Sequence, residues 1–158
     1  MTPVDMIHFH TEASGSIPGD CFRACVASLF DLPALTVPHF VADPRGEHCW
    51  MHAVNEWADA RDMFYTIFRD DPIVPPKGGA LVIASGKSPR GDFGHSVICH
   101  LDYGPLRLIH DPHPSRAGIV GPPRSFGIFV RKFCLPNPSD DLPPASGGPV
   151  NRVVGGPK

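Results

Sequence analysis

Two stretches of this chain repeat apolar residues with the period of a helix, and both lie within its first 60 residues. The apolar residues that follow fall in short runs of strand type, and that order constrains the fold more than any single motif. Phe22, Cys25, Val26, Leu29 and Phe30 share one face and predict a helix over 20–31, with Asp20 at its N-cap and Leu32-Pro33 as its stop. Trp50, Ala53, Val54, Trp57 and Ala58 predict a second helix over 48–60, after the turn-rich DPRGE segment. Five strand-like runs come next: FYTIF (64–68), GALVIAS (79–85), HSVICHL (95–101), LRLIHD (106–111) and FGIFVRKF (126–133). Helices first and strands second imply an α+β domain in which the helices pack on an antiparallel sheet.

The 158 residues suffice for one domain with a real core and are too few for two. Residues 1–19 show no periodicity and read as an extended lead-in. Proline (20) and glycine (16) make long loops the expectation, and they crowd towards the end. A domain over 1–134 and a flexible Pro/Gly-rich tail over 135–158 follow, because the tail has too few large apolar residues to bury itself.

A formal net charge of −2 argues against nucleic acid as a partner. No apolar run reaches the length that crosses a bilayer, and MTPVDMIHFH lacks the basic start and apolar core of a secretory signal, so no membrane partner is expected. Cys21, Cys25, Cys49, Cys99 and Cys134 are odd in number and show no disulfide spacing, which fits free thiols in a cytoplasmic protein.

Cys21 stands at the first turn of the first helix, where unpaired N–H groups and the positive end of the helix dipole favour a thiolate. HSVICHLDYGPLRLIHD reads as a hairpin. With its turn centred on Tyr103, His95 lies opposite Asp111, so that the carboxylate orients the imidazole while the other ring nitrogen takes a thiol proton. Cys21, His95 and Asp111 together are what nucleophilic attack on an acyl carbon requires. SPRGDFG (88–94) reads as a loop beside His95, from which Arg90 and Asp92 contact substrate or simply face solvent. His48, Cys49 and His52, with His110 and His113, raise the alternative of a metal site. No glutamate occupies the zinc-hydrolase position between His48 and His52, and the two tryptophans explain that helix by packing, so neither metal nor cofactor is expected.

GDCFRACVASLF, GHSVI and HDPHPSRAG resemble the three conserved blocks of papain-like cysteine peptidases, above all the bacteriocin-leader peptidase domains of ABC exporters. PGDCFRA is also similar to the Asp-Gly-Asn-Cys block of ovarian-tumour-type deubiquitinases. The resemblance spans roughly residues 15–130 and implies a papain-like fold with Cys21 as nucleophile, His95 as general base and acid, and Asp111 as the orienting residue. It further implies a cysteine peptidase or amidohydrolase that passes through a thioester on a peptide or isopeptide substrate. The same residues leave room for an acyltransferase or for an inactive binding module on the same fold. One departure stands out, for such peptidases commonly place an oxyanion-hole glutamine a few residues before the cysteine, and this chain contains no glutamine. Gly15 occupies that place; Ser14, Ser16 and Thr11 are the nearest side chains able to donate.

Overall fold

The computed structural model describes residues 1–10, 18–69 and 74–132. Helix α1 spans Cys21–Leu29 and α2 spans Trp50–Asp59, with three short 3-10 turns in and around the segment between them. The strands are β1 (Met63–Phe68), β2 (Ala80–Lys87), β3 (Gly94–Leu101), β4 (Arg107–His110) and β5 (Val120–Arg131). They form one antiparallel sheet in the order β1-β5-β2-β3-β4, which makes the domain α+β. Helix α1 ends two residues sooner than its stripe suggests, β2 runs two residues longer than its apolar run, and two further boundaries differ for structural reasons. Residues 47–49 form a 3-10 turn before α2 begins at Trp50, and β5 starts six residues earlier than its apolar run because the segment Val120–Ser125 joins the ladder despite two prolines. The expected tail over 135–158 lies outside the described residues.

Both helices cover the same face of the sheet. Phe22, Cys25, Val26 and Val54 pack there against Tyr65, Ile83 and Ile98, and the partly buried Leu29, Phe30, Trp50 and Trp57 close the edges of this core. Phe22 is the hub, meeting Phe40, Trp50 and Tyr65 edge-to-face at ring separations of 6.0, 5.5 and 5.5 Å. Gly127 is required here for space: a Cβ at that position would overlap the Tyr65 ring, which lies across the strand. A second, smaller core of Val82, Ala84, Val97 and Cys99 occupies the opposite face.

Asp20 stands at the N-cap position, but its carboxylate makes no capping hydrogen bond. It is buried, and it accepts from Arg23 Nε at 3.1 Å, from a terminal guanidinium nitrogen of Arg23, and from the backbone N–H groups of Ile7 (3.0 Å) and His8 (2.9 Å). A buried charge paired in this way serves tertiary structure instead of the helix end, since it ties the N-terminal segment to α1. The segment is fastened elsewhere too. Val4 N–H donates to Ser28 Oγ, Met6 N–H to the Pro112 carbonyl and His110 Nε2 to the Val4 carbonyl, each at 2.9 Å.

Replacing Asp20 with Ala would leave the Arg23 guanidinium buried without its partner. Asp20→Ala is expected to cost about 3–5 kcal/mol in urea unfolding. A loss below ~1 kcal/mol, the ordinary value of a lost helix cap, would show that the carboxylate does not carry this tie.

Candidate functional site

A cavity of about 680 Å³ opens where α1 begins, and Cys21, His95, Ser96, Arg90 and His113 line it together. The N-terminal segment forms one wall: His10 stacks on Phe93 at 4.4 Å and Phe9 meets His113 edge-on at 5.2 Å. Nothing in the periodicity of residues 1–10 signals that role, because the segment is placed by backbone hydrogen bonds to distant residues.

His95 and Asp111 are in contact, with His95 Nε2 2.7 Å from Asp111 Oδ1, and both side chains are almost wholly buried. The register that produces this contact differs from the one the sequence suggests. Cys99 faces Leu108 and His100 faces Arg107, whereas Ile98 faces His110, so Ile109 is an extra residue bulged out of β4. Without the bulge, the ladder would carry Asp111 to the face of Ser96. The added residue returns it to the face of His95, diagonally across instead of directly opposite. Asp111 also accepts from His113 N–H (2.8 Å) and Gly118 N–H (2.7 Å). Burial alone would raise its carboxyl; these donors and the His95 ring hold it below the usual carboxylate range. Because the carboxylate takes the Nε2 proton, Nδ1 is left as the basic ring nitrogen.

Cys21 is half-buried at the first position of α1, as its spacing predicts, but its electrostatics run against the sequence expectation of a thiolate. Burial pushes the thiol up, and the N–H and hydroxyl of Ser96 with the N–H of Phe22 offset this only in part. Burial likewise pushes the His95 imidazole below its usual value against the pull of Asp111. Both shifts favour the neutral forms, a thiol and an imidazole. Among the described residues no hydrogen bond joins Cys21 to His95; they share the cavity.

Of the loop residues, Arg90 lines the cavity, donates from Nη1 to Ser115 Oγ at 2.9 Å and lies 4.0 Å from Asp111 Oδ2. Asp92 does not join it. Its side chain is exposed and pairs with Lys87 at 3.2 Å. Ser14, Ser16 and Thr11 lie outside the described residues. Among the described residues no group of three or more His, Cys, Asp or Glu side chains is placed to hold a metal ion. No described helix is long and apolar enough to cross a membrane. Among the cavity residues that escaped the sequence reading are Ser85, Ser96, Ser125 and Arg69. A signal for the first existed, since Ile83 and Ser85 occupy the same face of one strand, and a serine where the alternation calls for an apolar residue marks the end of the core.

No protein-family model matches the chain, and no curated protein and no solved structure matches it.

The thiol assignments can be checked by iodoacetamide labelling with peptide mapping. Cys25 and Cys99 are buried, their thiols pushed up by burial, Cys99 to about 11, and both should stay unlabelled in the folded protein at pH 7. Cys21 should label more slowly than a free thiol at pH 7 and accelerate as the pH is raised past 9. Rapid labelling at pH 6–7 would show instead that the resting form is a thiolate.

Proposed function

We propose that the protein is a cysteine hydrolase of the papain-like kind, acting on a peptide or isopeptide bond with Cys21, His95 and Asp111. The observation that carries this reading is the buried His95–Asp111 pair at 2.7 Å beside a cavity that the first residue of a helix also lines. A carboxylate buried and held ionised beside an imidazole has a task when that imidazole must gain a proton. In this mechanism His95 Nδ1 takes the Cys21 proton as Sγ attacks the acyl carbon. The carbonyl electron pair moves onto oxygen, and the C–N bond then breaks as the imidazolium returns the proton to the leaving amine. Water adds to the thioester by the same route and releases the acid and the free thiol. The first N–H groups of α1 have no partner within the helix and supply one donor to the oxyanion. Ser96, whose hydroxyl lies beside the thiol, offers a second donor in a chain without glutamine.

Starting from a neutral pair, acylation requires His95 unprotonated. Its folded value lies below the ordinary 6.5, so the rate should fall in acid with a midpoint below pH 6.5 and level off above it. Asp111 raises that value, so Asp111→Asn should move the midpoint further down and also slow acylation by roughly 10²–10⁴-fold, since the ring then loses its orienting acceptor. His95→Ala should abolish the acid limb. The measurement is the pH dependence of Cys21 modification by an electrophilic acyl probe, followed by intact mass. Superimposable profiles for the wild type and both variants would reduce the site to a structural pair and leave the cavity as a binding site alone.

A further inference from the structure

The face of the sheet beneath the helices changes character within one step. Ile67, Gly127, Ile83 and Ile98 stand abreast across β1, β5, β2 and β3 and belong to the core. One position further along each strand on the same face, Ser85 pairs with both Ser125 and Ser96, and the β1–β5 register carried past Phe68 sets Arg69 beside Ser125. The row therefore reads Arg69-Ser125-Ser85-Ser96, and all four residues line the cavity. Ser85 Oγ and Ser96 Oγ lie 2.9 Å apart, so the hydroxyls are linked at the end nearest Cys21.

Two guanidinium groups face this floor, Arg90 with the Asp111 carboxylate 4.0 Å behind it. Arg69 and Arg90 line the cavity, and among the described residues no aspartate or glutamate does, in a chain whose net charge is −2. A low-dielectric concavity lined by cations concentrates anions. Neighbouring strands are about 4.8 Å apart, so the row from Ser96 to Arg69 covers roughly 14 Å, the length of about four residues of extended peptide. Phe22, Trp50 and Tyr65 form the apolar wall above it.

We infer that the cavity selects an acidic peptide, its backbone laid along the serine row and a carboxylate on Arg69 about four residues from the bond presented to Cys21. This rests on the reading of the cavity as a peptidase cleft, but it concerns binding, and binding is measurable without chemistry. The Cys21→Ala protein can be titrated calorimetrically with end-capped, alanine-rich octapeptides that carry one Glu, Gln or Lys near either terminus. The Glu peptide should bind at least ~10-fold more tightly than its Gln counterpart in one of the two placements, with Lys weakest. Arg69→Glu, an exchange at an exposed side chain, should reverse the order, and Ser85→Ala should weaken all peptides several-fold without changing it. Equal affinities for the three peptides, or an order unchanged by Arg69→Glu, would overturn the inference. If the charge order holds while acyl probes leave wild-type Cys21 untouched, the hydrolase reading fails and the acidic-peptide site stands.

Discussion

Asp111 is the interaction on which the rest of the site depends. Its carboxylate satisfies His95 from β3 and the N–H groups of His113 and Gly118 from the loop that follows β4, while its carbonyl accepts from Arg116. The next residue's carbonyl receives Met6 N–H, so the N-terminal wall of the cavity hangs on the same turn. A buried carboxylate is costly unless its lone pairs are filled. Here three donors from two parts of the chain converge on it, and that convergence sets the position of the imidazole, the course of the 111–119 loop and one wall of the cleft.

The site is placed at the boundary between core and solvent along a single sheet face. Ile83 and Ile98 are fully buried, and each contributes about 2 kcal/mol by leaving water. One row further on, the same face carries hydroxyls, and α1 begins just there. The core therefore holds the helix down through Phe22, Cys25 and Val26, while Cys21 projects past the last apolar row. A cysteine one turn later falls inside the packing: the Cys25 thiol lies against the Ser96 carbonyl at 3.5 Å and has no access to the cavity.

The helices were legible because their stripes are amphipathic, and four of the five strands because β-rich runs end at Gly, Pro or Asp. The beginning of β5 was not, since GPP reads as a turn and joins the ladder only because β2 lies alongside. The His95–Asp111 pair was legible as a pair, while its register was wrong by a bulge that no residue type in LRLIHD announces. Asp20 looked like a helix cap because local chemistry favours that use. Its actual partners lie 12 and 13 residues upstream, with Arg23 beside it, so local propensity gave way to a buried charge pair.

By itself the sequence determined the class of the domain, the position of Cys21 at a helix start and the identity of the imidazole and carboxylate, because those follow from periodicity and spacing along the chain. The tertiary structure alone decided the direction in which burial shifts the thiol, the alignment of Arg69, Ser125, Ser85 and Ser96, and the N-terminal wall. Each depends on burial or on register between segments far apart in sequence, and neither quantity has a local signature: desolvation sums over everything packed around a group, and a one-residue bulge turns a side chain to the other face of a sheet.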